Sequence, residues 1–89
     1  YLSNDNLGEP ESTAKLINTL QEAALQGISK TPLLTAADQE GAWAVMVPYS
    51  SSGPGNMALG ASDPENTKKM YSVFSKELAS VGVFCDLSP

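Results

Sequence analysis

The 89 residues carry a net charge of −5, with five lysines, no arginine and no histidine, at 42% apolar and 17% charged content. A chain of this size makes one domain at most, burying roughly 60–65% of its surface, and its acidic balance argues against nucleic acid or an anionic membrane as partner, since both attract basic surfaces. The lack of histidine excludes a self-contained Ser-His-Asp triad, a Cys-His dyad or a histidine metal site within these residues, and the single Cys85 excludes an internal disulfide or a cysteine zinc cluster.

No cofactor is expected. No run of about 18 apolar residues is present to span a membrane, and no leader pattern opens the chain. The compartment stays open. The sequence begins at Tyr1 rather than Met and stops at Pro89 straight after an apolar run, which reads as a piece of a longer polypeptide.

Tyr1 to Leu7 turns polar after two residues. It reads as the tail of a strand or as a frayed end, with the frayed end favoured because termini are commonly poorly ordered. Pro10 suits the first turn of a helix, and Glu9 and Glu11 suit its positive end. Leu16, Ile17, Leu20, Ala23 and Ala24 then recur on one helical face, predicting a core stripe, with Lys15, Asn18, Gln21 and Glu22 opposite. Gly27 is the expected C′ residue in a left-handed conformation.

TPLLTAADQEG, residues 31–41, is the stretch on which the chain centres. Pro32 biases Thr31 towards extended backbone. The apolar run is short and nearly continuous, as in a buried parallel strand. It ends in Asp38-Gln39-Glu40 and a glycine. Acids at the carboxyl end of a parallel strand lie where α/β folds place their ligands. Asp38 and Glu40, at i and i+2, share one face of a strand about 7 Å apart. That spacing permits an acid/base pair, but such acids are more often hydrogen-bonded to loop amides, and Gly41 marks a turn.

Residues 41–61 are the least regular. Trp43, Val45 and Val47 alternate, as in a short extended arm, and SSSGPG is a turn cluster. Loops of this length tend to carry function, a mobile surface insertion being the plainer reading. GPGNMALG does not form a phosphate loop, because Ala58 stands where a third glycine would be needed and no Gly-Lys-Ser/Thr follows.

Asp63 and Pro64 make a strong N-cap and N1 pair. Thr67, Met70, Tyr71, Phe74, Leu78 and Val81 share the next helical face, and Gly82 terminates it. Lys68, Lys69 and Lys76 fall outside that stripe, where solvated lysines belong. VFCDL, residues 83–87, predicts a second short buried strand, with Cys85 as a buried inert thiol. The resulting order is strand tail, helix, strand, long loop, helix, strand. Such alternation predicts an α/β fold with consecutive β/α units and parallel strands.

Taken in order, LINTLQEAA, PLLTAADQEG and GPGNMALGASDPENTKKMYSVFSKELASVGVFCDLSP resemble the N-terminal domain of family 3 glycoside hydrolases. That family includes bacterial β-N-acetylhexosaminidases and β-glucosidases. Its strand reads P-L-hydrophobic-D-Q-E-G-G, followed by N-M-A-L-G-A, a helix opening D-P, and a strand ending (N/D)-(F/L)-(A/S)-P. The resemblance implies that residues 1–89 are part of a (β/α)₈ barrel, about its second to fourth strands, with sugar bound at the strands' carboxyl end. It also implies that Asp38 matches the aspartate that holds sugar hydroxyls, a task suited to a charged acceptor. Ala42 replaces the usual second glycine and Trp43 the following Arg or Ile, so the pocket rim is atypical. Trp43 is expected to pack beneath the loop rather than stack on sugar.

Family members are retaining enzymes, and such chemistry needs a nucleophile and an acid/base flanking the bond. The resemblance puts both beyond Pro89, so no catalytic residue is expected here and no turnover from this segment alone. A barrel of this kind takes about 250 residues. The remainder of the barrel, as another chain or missing sequence, is therefore an expected partner beside the carbohydrate substrate. The rival expectation is a non-catalytic carbohydrate-binding or interaction module derived from such a domain. A third is a bare fragment whose open strand edges make it associate.

Overall fold

The computed structural model describes residues 1–42 and 47–88. In chain order the elements are α1 (Pro10–Gln26), β1 (Ala36–Ala37), α2 (Asn56–Gly60), α3 (Pro64–Ser80) and β2 (Cys85–Asp86). The fold is α/β, and β1 and β2 pair in parallel with Ala36 opposite Cys85 and Ala37 opposite Asp86. On the other side of β1, the Leu2 amide donates to the Ala36 carbonyl at 2.8 Å. The first residues therefore flank β1 before turning at residues 4–6, and Leu7 is buried. The frayed-end expectation is corrected: a backbone hydrogen bond and an apolar anchor hold this terminus in place.

α1 begins as its sequence predicts, with Pro10 in the first turn. No side chain caps it at Glu9; instead the buried Thr13 hydroxyl accepts from Gly8 N at 3.0 Å and donates to the Gly8 carbonyl. Its far end differs from expectation. Gly27 is extended, at φ −69° and ψ 176°, and the left-handed residue that follows is Lys30, at φ 48°. The reversal is spread over a turn in which Lys30 N reaches the Gly27 carbonyl. The stripe also buries less than predicted. Ile17 is buried, whereas Leu16 and Ala23 are exposed. The helix touches the core around Ile17, whose Cγ2 lies 2.9 Å from where a Cβ on Gly82 would stand. Gly82, at φ +94°, is the left-handed terminator that the sequence predicts.

The strand expected across residues 31–41 contracts to two ladder residues. Leu33 and Leu34 are exposed at 46% and 75%. The buried positions are Thr35, Ala37 and Gln39, alternating along the chain as in a strand with one covered face. Gln21 on α1 grips the strand's approach, donating to the Leu33 carbonyl and accepting from Leu33 N, both at 2.8 Å.

NMALG forms the short helix α2 and not merely part of an irregular loop, packing on α3. α3 starts on the predicted cap, with Asp63 Oδ1 accepting from Glu65 N at 2.8 Å. Phe74 and Leu78 are its buried residues. The Phe74 ring meets Tyr71 edge to face at 5.5 Å, and burying such a side chain contributes about 1.5–3 kcal/mol. Leu7, Ile17, Ala37, Val47, Leu78 and Val83 form the central apolar cluster. Cys85 is half-buried, not buried as expected, because β2 has a partner on one side only among the described residues. The expectations for Trp43 and Val45 lie outside the described residues.

Candidate functional site

The carboxyl ends of β1 and β2 lie side by side, and two aspartates emerge there. Asp38 follows β1 directly and is half-buried. Its Oδ2 accepts from the Tyr1 hydroxyl at 2.8 Å. The hydrogen bond to Asp38, with lesser help from desolvation and from the carboxylate's charge, raises the Tyr1 phenol above its ordinary 10.0. The bond described for Asp38 uses one carboxylate oxygen, leaving acceptor capacity on the other for hydroxyl groups from outside the chain.

Asp86 is placed differently. Its Oδ1 accepts from Gln39 N at 2.9 Å and from Ser88 N at 3.1 Å. The sequence expectation that an acid here binds loop amides thus applies to Asp86, on the neighbouring strand. Between the two aspartates sits Gln39, fully buried. Its Oε1 accepts from Gly41 N at 2.9 Å and its Nε2 donates to Ser50 Oγ at 2.5 Å. One amide side chain thereby fixes both the turn after Glu40 and the far limb of the loop. Buried amides persist when both ends are partnered, which is the case here.

Glu40 is half-buried, and Gly41 turns the chain immediately after it with φ +75°. A Cβ at Gly41 would stand 2.6 Å from Phe74 Cζ, so glycine is required both by conformation and by space. Gly53 N donates to the Gly41 carbonyl at 2.9 Å, drawing the glycine-rich segment back to the strand end. Nearby, Ser51 donates through N and Oγ to the two oxygens of Glu77, at 2.8 and 2.6 Å. The Tyr71 hydroxyl donates to Asn56 Oδ1 at 2.6 Å and is hydrogen-bonded to Ser88 Oγ at 2.5 Å. α2, α3 and the residue beyond β2 are thus joined at the same end of the sheet.

A cavity of about 250 Å³ opens between the start of α1, residues 47–50 and the end of α3, lined among others by Thr13, Val47, Tyr49 and Leu78. Asp38, Gln39, Glu40 and Asp86 do not line it, so it is separate from the strand-end site. No group of acidic or cysteine side chains able to hold a metal occurs among the described residues.

The model of the glycosyl hydrolase family 3 N-terminal domain matches residues 1–89. The chain belongs to glycosyl hydrolase family 3. It is also 34% identical over 91 residues to Beta-hexosaminidase A of Pseudoalteromonas piscicida, an alignment covering 96% of this chain and 15% of that relative. The chain therefore spans about a seventh of that relative's length, as the 15% coverage gives. No solved structure matches it.

Against this family assignment, the strand end carries more than the sequence singled out. Asp38 stood out as an acid closing an apolar run. Asp86 was visible as a carboxylate near the end of VFCDL and as the first residue of the D-L-S-P strand ending, but its contact with Gln39 N spans 47 positions. Nothing local announces a contact of that range. The Asn56, Tyr71 and Ser88 cluster was equally silent, because Tyr71 reads as one more member of an apolar helix face.

Proposed function

We propose that this chain is a segment of a (β/α)₈ barrel of a retaining family 3 glycosidase, and that Asp38 binds hydroxyls of the sugar whose β-linkage is cleaved from a non-reducing end. The observation that carries the reading is the position of Asp38. Within a family match covering residues 1–89, its half-exposed carboxylate closes a parallel strand at the carboxyl end. A Tyr1 hydroxyl is already seated on one oxygen, at the distance a sugar hydroxyl would adopt. The parallel strands, and the exposed Leu33, Leu34, Phe84 and Leu87 around them, suit a sheet that continues into further strands. The relative's name makes a β-linked hexosaminide the first substrate to try.

In this reading the nucleophile and the general acid/base belong to residues outside the chain. A retaining mechanism needs two carboxyl groups about 5–5.5 Å apart across the scissile bond. Asp38 would contribute binding, with charge-assisted acceptance from two hydroxyls.

The test is kinetic and uses the full-length protein with chromogenic β-N-acetylglucosaminide and β-glucoside. Asp38→Asn should lower kcat/KM by about 10- to 100-fold, the value of a hydrogen bond to a charged group at roughly 1.5–3 kcal/mol. Unchanged kcat/KM on every β-glycoside that the parent cleaves would remove Asp38 from the site. The 89-residue chain alone should show no turnover, and measurable turnover would refute its reading as a non-autonomous segment.

A further inference from the structure

We propose that Asp86 is a positioning residue for Asp38, acting across the seam between the two strands. This rests on the reading of Asp38 as the sugar-binding carboxylate. Along the ladder, Cys85 N donates to the Thr35 carbonyl and Leu87 N to the Ala37 carbonyl, each at 3.0 Å. The next donor in line on the β1 side is Gln39 N. It is taken by the Asp86 side chain at 2.9 Å, where a continuing ladder would use a backbone carbonyl. The same carboxylate oxygen accepts Ser88 N at 3.1 Å, so one atom binds the backbone of both the continuation of β1 and the chain just beyond β2.

The consequence for Asp38 is geometric. The peptide group before it is held through the Ala37 carbonyl, bonded to Leu87 N. The peptide group after it is held through Gln39 N, bonded to Asp86. Both peptide planes flanking Asp38 are therefore pinned to β2, which fixes its φ and ψ and with them the direction of its Cα–Cβ bond. The hold is charge-assisted, roughly twice as strong as a neutral amide contact. It is also short, because an aspartate has few rotatable bonds. On the β2 side the anchor is itself secured, since Ser88 Oγ engages both Tyr71 and Asn56. Asp86 thus sets where Asp38 points without touching the sugar.

The test uses the full-length protein, with N-acetylglucosamine and glucose titrated calorimetrically and a chromogenic β-N-acetylglucosaminide for turnover. Asp86→Ala is expected to weaken monosaccharide binding and raise KM by about tenfold, with kcat altered less. Asp86→Asn, which keeps an acceptor oxygen for Gln39 N, should stay within about threefold of the parent. The decisive readout is a double-mutant cycle, because a residue that acts through Asp38 has nothing to act through once that carboxylate is gone. In an Asp38→Asn background, Asp86→Ala should cost less than about twofold more. Full additivity, or Asp86→Ala binding within about twofold of the parent, overturns the inference while leaving Asp38 in its site. Asp38→Asn binding sugar as the parent does would overturn the site reading itself, and the inference with it. If Asp86→Ala does not fold, Asp86→Ser, which is one bond shorter than aspartate, takes its place in the same cycle.

Discussion

Two aspartates end two neighbouring parallel strands, and their surroundings give them opposite tasks. Asp86 spends one oxygen on two backbone amides, Gln39 N and Ser88 N. Asp38 meets one phenol, on a residue that is 68% exposed. Residue type is shared, so it does not explain the difference. Register does: Asp86 pairs with Ala37, one residue short of Asp38, so the two side chains leave opposite faces of the strand pair. Asp86 thereby meets one amide from the continuation of β1 and one from just beyond β2. A carboxylate that holds two backbone amides belongs to the framework, and one meeting a single exposed hydroxyl is available for a ligand. The framework aspartate is what keeps the available one in place.

The largest effect should come from disturbing the turn that separates Asp38 from the loop. Gly41 has a positive φ and no room for a Cβ against Phe74. Gly41→Ala should cost about 1–2 kcal/mol for the left-handed backbone and about 1–3 kcal/mol more for overpacking. Thermal unfolding of the full-length protein would record it as a clear drop in Tm. Because the clash is with one ring, Gly41→Ala and Phe74→Leu together should cost less than the sum of the two.

Next in size is Gln39, which is fully buried and links the turn to residue 50. Gln39→Leu preserves volume but strips the buried Gly41 amide of its acceptor, an expected loss of about 1–3 kcal/mol. Denaturant unfolding would measure it. An unchanged midpoint would mean that the strand end does not depend on its side-chain network.

A third aspartate calibrates the framework role. Asp63 accepts one amide at the start of α3, and Asp63→Ala should cost about 0.5–2 kcal/mol, as for other N-caps. Asp86 accepts two amides in a less exposed setting, so Asp86→Ala should destabilise at least as much as Asp63→Ala. Only the Asp86 change should also alter sugar binding.

The parts of the fold legible in the sequence were those governed by neighbours in the chain. Pro10, Asp63 and Pro64 marked the two long helices, and Gly82 their second terminus, because caps and left-handed turns are local chemistry. Asp38 was legible for the same reason, as the acid that interrupts an apolar run. Burial was less legible. Leu33 and Leu34 look like strand core but are exposed, while Thr35 and Gln39 are buried. Periodicity tells which residues share a face, whereas burial depends on what covers that face. Leu16 and Ala23 on α1 illustrate the point from the helical side, since their stripe was readable and its cover was not. Gln39 and Asp86 required knowledge of the register between strands, which no single stretch contains. Gly27 misled because a glycine after a helix is usually left-handed, whereas here the reversal is completed at Lys30.

The smallest expected effect tests the open side of the comparison directly. Tyr1 donates to Asp38, and that bond holds the phenol proton, raising its pKa above the ordinary 10.0. The raised value fixes the sign. The Tyr1–Asp38 contact contributes fully below the phenol's ordinary pKa and is lost as pH rises through the folded-state value. Tyr1 is exposed, so global stability should hardly respond; the phenolate absorbance of this one residue is the quantity to follow. Against Tyr1→Phe as the reference that removes its signal, Tyr1 should ionise later than a free tyrosine, and Asp38→Asn should bring its midpoint back towards 10.0. Sugar that occupies only the second oxygen of Asp38 should leave the midpoint raised. Sugar that takes the phenol's place should lower it, and Asp38 would then offer both oxygens to its ligand.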